Sequence, residues 1–306
     1  MNKADRDALF AFPFLLFAGF CIALTGSQGG STLAGLPIFA LGVGLAFLIQ
    51  WLAFIPAFLL RSEKFFDLTG SFTYISIIAF ALIFSAKVDD RAIILGSLVM
   101  IWAVRLGTFL FRRIRRAGRD ERFDELKSSF FRFLTVWTIQ GLWVTFTMAA
   151  ALAGITTTLR KNMDVFAISG ILLWVFGLIF EVIADSQKSR FNADPANKGK
   201  FIQTALWSRS RHPNYFGEIT LWLGIAIIAL PVLRGWQLTT LLSPVFVTFL
   251  LTRISGIPLL ERKADIKWGG QNDYESYKKR TPVLIPRLKG DSMPDEPEPI
   301  IFPPKR

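Results

Sequence analysis

LPIFALGVGLAFLIQWLAFIPAFLL, residues 36–60, is an unbroken run of 25 residues without one ionisable side chain. About 20 helical residues cross the roughly 30 Å of hydrocarbon in a bilayer, so this stretch is long enough to span it. Blocks of the same character recur at 9–25, 72–86, 92–111, 133–154, 165–184, 214–233 and 236–254. The expected fold is therefore all-α, a polytopic transmembrane helix bundle of about eight spans. The 72–86 block is short enough to lie partly in the interface, which leaves a count of seven open. Composition agrees, with 52% apolar residues and 30 Phe, but the block lengths decide the class.

Net charge is +12, a balance that in a soluble protein would point to nucleic acid. Here the cations fall between and after the apolar blocks, which argues against nucleic-acid binding and for loops beside anionic lipid. With the N-terminus inside, 30 of the 35 Lys and Arg fall in cytoplasmic segments. Only Lys87, Arg91, Arg160, Lys161 and Arg234 fall outside. That asymmetry predicts both termini cytoplasmic. The first block lacks a small-x-small cleavage site and reads as a retained helix. One Cys and one His exclude an intramolecular disulfide and a structural Cys/His zinc site, so no metal is expected. Residues 1–289 read as one bundle, and the acidic, Pro-rich 290–306 as a disordered tail.

Ionisable groups inside apolar blocks are costly and therefore informative. Glu181, Asp185, Lys188 and Asn192 are spaced by four and three residues and share a helix face at the end of the 165–184 block. In SRSRHPNYFGEITLW, residues 208–222, Pro213 suits a first helical turn, and Asn214 and Glu218 lie one turn apart. Arg209 and Arg211 precede that helix start, where the dipole also favours an anion. For either Arg alone, a basic surface loop explains as much. Tyr274, Tyr277, Lys278 and Arg280 cluster near the C-terminus, an ordinary interfacial composition. Arg105 lies well inside its block and is harder to dismiss. The basic stretch 112–127 reads as a solvated loop. No dinucleotide fingerprint, Walker loop or G-x-S-x-G motif is present, so Rossmann, P-loop and serine-hydrolase sites are unsupported.

The string Arg211-His212-Pro213-Asn214-Tyr215-Phe216-Gly217-Glu218, followed by YKKRTPVLIP at 277–286, resembles the C-terminal domain of the steroid 5-alpha reductase family. DLTGSFTYIS at 67–76 and Gln140-Gly141 are similar to its bacterial DUF1295 branch. Related patterns occur in sterol C14 reductases and isoprenylcysteine carboxyl methyltransferases. The resemblance implies a membrane enzyme, in a bacterial inner membrane, binding NADPH at its cytoplasmic face. Asp185, Asn214 and Glu218 match cofactor contacts, with Arg211, His212 and Tyr215 in the same string and Tyr277 and Arg280 in the C-terminal part. The implied chemistry is reduction of a carbon–carbon double bond conjugated to a carbonyl, in a steroid-like or other lipid entering from the bilayer. Hydride goes to the β-carbon while an acid polarises the carbonyl oxygen.

The sequence departs from the animal steroid reductases where a Glu and a Tyr hold the carbonyl. Gln50 and Trp102 stand at those positions, and Gln50 can only donate a neutral hydrogen bond. Asp67 and Tyr74, seven residues apart, are the replacement candidates, with an N-cap as the plainer role for Asp67. An S-adenosylmethionine-dependent methyltransferase would also use the RHPNY string together with Glu261. A non-enzymatic scaffold or transporter is the third class, and it leaves Asn214 and Glu218 without a role.

Overall fold

The computed structural model describes residues 3–118 and 123–288, so the expected tail at 290–306 and the centre of the basic 112–127 stretch, whose first six residues are helix and not loop, lie outside the described residues. It is helical almost throughout. The helices are α1 (Lys3–Gly26), α2 (Ile38–Leu59), α3 (Phe66–Phe84), α4 (Asp90–Ala117), α5 (Phe130–Thr147), α6 (Ala149–Thr156), α7 (Val165–Ala193), α8 (Pro213–Ala229), α9 (Ser243–Phe249), α10 (Ile257–Trp268) and α11 (Asn272–Arg280). One two-residue antiparallel pair, β1 (Thr32–Leu33) and β2 (Leu36–Pro37), links α1 to α2. Among the described residues, seven segments are long and apolar enough to cross a membrane, and α5 with α6 makes an eighth if the bent pair is one span. The chain is a transmembrane helix bundle.

The uncertain span is not the one the sequence suggests. α3 is a full 19 residues, about 28 Å long, and begins six residues before the apolar block. Its first turns carry Thr69 and Thr73, whose hydroxyls donate to the carbonyls of Phe65 (2.8 Å) and Thr69 (2.7 Å). The polar groups are thus absorbed within the helix. The break falls instead at Met148, where α5 and α6 bend by 57° with no Pro to signal it. Every residue of α6, AAALAGIT, is buried. Ser243 donates to the Thr147 carbonyl, so a neighbouring segment satisfies backbone freed at the bend.

The described chain forms two compact units, with boundaries at 178/179, 218/219 and 250/251. In the first unit α3 packs on α2 and α4, and α5 on α1 and α2. Phe54, Phe123, Phe133 and Trp137 form an aromatic core cluster there. A second cluster sets Tyr74 edge-to-face with Trp102 (5.2 Å, 87°) and Trp102 edge-to-face with Trp222 (4.9 Å, 78°). α7 and α8 touch backbone to backbone at two glycines. A Cβ on Gly224 would sit 2.6 Å from the Gly170 carbonyl oxygen and 2.8 Å from the Trp174 nitrogen. Small residues at such crossings allow the close packing that holds membrane helices together. Gly224→Ala therefore forces two backbones apart and is expected to destabilise the bundle by about 1–3 kcal/mol. Thermal unfolding in detergent tests this, and an unchanged midpoint would contradict the close crossing.

Two of the five cations expected outside are fixed structurally. Asp89 caps α4 by accepting from Ala92 N (3.0 Å) and is paired with Arg160 (3.5 Å). Asp164 caps α7 by accepting from Ala167 N (3.0 Å) and is paired with Arg91 (2.9 Å). Their hydrogen bonds account for two exceptions to the charge asymmetry.

Candidate functional site

The second unit holds most of the cofactor candidates. Its frame is the late half of α7, the start of α8, and α10 with α11. The turn Ala205–Ser208 is strapped to α7, with Trp207 Nε1 donating to the Ala184 carbonyl (3.1 Å) and Leu206 N to Gln187 Oε1 (3.1 Å). The two strings that carry the family resemblance meet here. Arg211 N donates to the Pro282 carbonyl (2.9 Å), Ser210 Oγ to that of Leu284 (2.8 Å), and Tyr277 Oη to that of Trp207 (2.8 Å). The chain 280–287 thus fixes the approach to α8, which starts at Pro213.

Around that start the polar side chains are buried or half-buried. Asn214 Nδ2 donates to Asp185 Oδ1 (3.2 Å), joining α8 to α7. Asp185 and Glu181 are both buried on α7. Arg211 donates through Nη1 to Glu261 Oε2 on α10, and His212 Nε2 lies 2.8 Å from Glu261 Oε1. The His212 ring is stacked on Tyr215 (5.7 Å, 9°). Burial pushes this His below its ordinary value despite Glu261, so it is neutral near pH 7. Neutral His212 donates from Nε2, and its buried Nδ1 finds no partner among the described residues. Burial likewise raises Tyr277. Burial and the Asp265 hydrogen bond (2.8 Å) raise Tyr274, so both phenols stay protonated.

The remaining candidates are distributed less evenly. Lys188 places its ammonium 4.6 Å from the Trp207 ring centre. Arg280 donates to Gln203 Oε1 (2.8 Å). Glu218 is half-buried one turn after Asn214. Arg209 is exposed, and Asn192 is exposed in the last turn of α7, outside the cluster. Arg105 belongs to the first unit, on α4, with its guanidinium over Phe109 (5.5 Å).

Gln50, Asp67 and Tyr74 also belong to the first unit. Gln50 is wholly buried and donates to Thr73 Oγ1 (2.9 Å); its Oε1 has no partner among the described residues, nor do the indole nitrogens of Trp102 and Trp222. Tyr74 is buried against both of those indoles. Asp67 is not a cap: Phe65 holds that position, and Asp67 sits in the first turn, 3.6 Å from Arg113. Gly70 lets Gln140 approach, since a Cβ there would lie 2.8 Å from its amide nitrogen.

Glu261 organises the α8 start, and the sequence pointed to it only in the methyltransferase reading and not among the NADPH contacts. Its partners lie 49 and 50 residues earlier, and LLERKAD gives no periodic signal that this carboxylate turns inward. A polytopic helical bundle with a buried polar cluster at one helix start is the class these features define. The chain belongs to the family described as proteins of unknown function, DUF1295, whose match covers residues 53–281. No curated protein and no solved structure matches it.

Proposed function

We propose that this protein is a membrane-embedded, NADPH-dependent reductase of an activated carbon–carbon double bond in a lipid. The observation that carries this reading is the polar cluster at the α8 start. Asp185 with Asn214, and Glu261 with Arg211 and His212, are concentrated there in a chain of apolar helices. Polar groups kept in such surroundings are retained for binding or chemistry. The buried His212 Nδ1 and Arg211 Nε, without partners among the described residues, fit a polar ligand.

Asp185, Asn214 and Glu218 would hold the hydroxyl and amide groups of the nucleotide. Arg211 is committed to Glu261, so the exposed Arg209, with no carboxylate within ion-pair distance among the described residues, is the better cation for a 2′-phosphate. NADPH, when bound, supplies hydride. In the first unit, Gln50, Trp102 and Tyr74 offer neutral donors for a carbonyl oxygen, and Asp67 is drawn toward Arg113.

Glu261 in the cluster favours one second reading, a methyltransferase using S-adenosylmethionine. Thermal stability of the purified protein, titrated with NADPH, NADH and S-adenosylmethionine, separates the two. Saturating NADPH at about 100 times Kd should add about 2.7 kcal/mol. Arg209→Gln should weaken NADPH about tenfold and leave NADH unchanged, the loss of one charge-assisted contact. Stabilisation by S-adenosylmethionine alone, or by none of the three, would overturn the reductase.

A further inference from the structure

A pocket of about 310 Å³ in the first unit is lined by none of the cofactor or catalytic candidates. Lys64, Phe65, Phe111, Ile114, Arg115 and Gly118 line it, drawn from the α2–α3 turn and the end of α4. Phe65 stacks on Phe111 (6.3 Å, 22°), and the Arg115 guanidinium lies over the Phe111 ring (5.9 Å). One wall is therefore aromatic and continuous with apolar surface: Leu59, Leu60 and Phe65 are 74%, 76% and 61% exposed. The other wall is cationic.

Among the described residues the neighbouring carboxylates are engaged elsewhere. Glu63 accepts from Lys127 (2.6 Å), and Asp67 is paired with Arg113 (3.6 Å). Among the described residues neither Lys64 nor Arg115 has a carboxylate within ion-pair distance. Two cations facing a cavity, with the nearby anions among the described residues already committed, select an external anion. The exposed leucines and Phe65 at the ends of bilayer-spanning helices place that anion at the level of lipid headgroups.

We propose that this pocket binds the phosphate headgroup of an anionic phospholipid, with Lys64 and Arg115 on the phosphate and Phe65 and Ile114 against the start of the acyl chains. Arg115, above Phe111, is held by the ring as well as by the charge it meets. The site is independent of the reductase reading.

Native mass spectrometry of the detergent-purified protein, titrated with phosphatidylglycerol or phosphatidylcholine, tests it. Wild type should retain phosphatidylglycerol at least tenfold more tightly than phosphatidylcholine, and Lys64→Gln/Arg115→Gln should abolish that preference. Arg61→Gln/Arg112→Gln removes the same charge outside the pocket lining and should keep it. Ile114→Trp fills the cavity and should lose phosphatidylglycerol with all cations in place. Equal retention by the Lys64→Gln/Arg115→Gln protein would overturn the proposal, as would equal loss in the charge-matched control. Displacement of phosphatidylglycerol by millimolar inorganic phosphate would overturn the lipid assignment in favour of a free-anion site.

Discussion

Asp164→Ala is expected to destabilise the bundle by about 2–3 kcal/mol, because the carboxylate it removes is 32% exposed but the Arg91 cation it leaves behind is buried. Arg91 is 1% exposed, and its guanidinium joins three helix ends. It stands in the first turn of α4, donates to the Ile228 carbonyl in the last turn of α8 (2.6 Å), and pairs with the cap of α7. A cation suits the negative end of α8, and Asp164 suits the positive start of α7. The Asn162 carbonyl accepts a further hydrogen bond (3.0 Å). Removing the carboxylate leaves a buried cation with carbonyls only, and removes the cap as well. The Arg91 hydrogen bond holds the Asp164 carboxyl below the usual carboxylate range, so the pair persists well below neutral pH. Adding Arg91→Met to Asp164→Ala should recover part of the loss, because an apolar side chain of similar length needs no counter-charge. Apparent melting temperatures in one detergent give the comparison. A double variant no more stable than the single would show that the capping bond, not the ion pair, carries the effect.

The helices were legible in the sequence because bilayer thickness imposes a length that composition cannot hide. Where that reading went astray, local polar chemistry was the cause. DLTGS at 67–71 looks too polar to begin a span, yet α3 includes it because its threonines donate to the helix's own carbonyls. The Met148 bend had no Pro or Gly to mark it, and its backbone partner, Ser243, lies 96 residues away. At the candidate site, Pro213 and the four-residue spacing of Asn214 and Glu218 placed the helix start and its polar face. The same periodicity put Asn192 with Asp185, but α7 has run into exposed surroundings by its last turn. Spacing along one helix predicts a shared face. It does not predict which partner a side chain meets across the fold. Arg211, read as an anion ligand, is held by Glu261 for that reason.

Glu261→Ala is expected to cost about 3–5 kcal/mol, because it removes the shared acceptor of two side chains that are only 13% and 6% exposed. Arg211 would be left as an uncompensated cation, and the His212 ring would lose its one hydrogen-bond partner among the described residues, since Nδ1 has none. Glu261→Gln keeps the shape but loses the charge: its amide oxygen can accept from Arg211, while its amide nitrogen can meet His212 Nε2 only if the neutral ring moves its proton to Nδ1. An intermediate melting temperature is expected for it. The cofactor response separates a structural from a binding role. Arg211 N is anchored by Pro282 and the α8 start by Pro213, so backbone placement survives the Gln substitution while the side chains on it lose their orientation. Glu261→Gln should therefore fold and yet respond to NADPH at least tenfold more weakly. A folded Glu261→Gln protein with an unchanged response would place any nucleotide away from α10. Arg211 and His212 would then be the braces of α8 rather than the walls of a cofactor site.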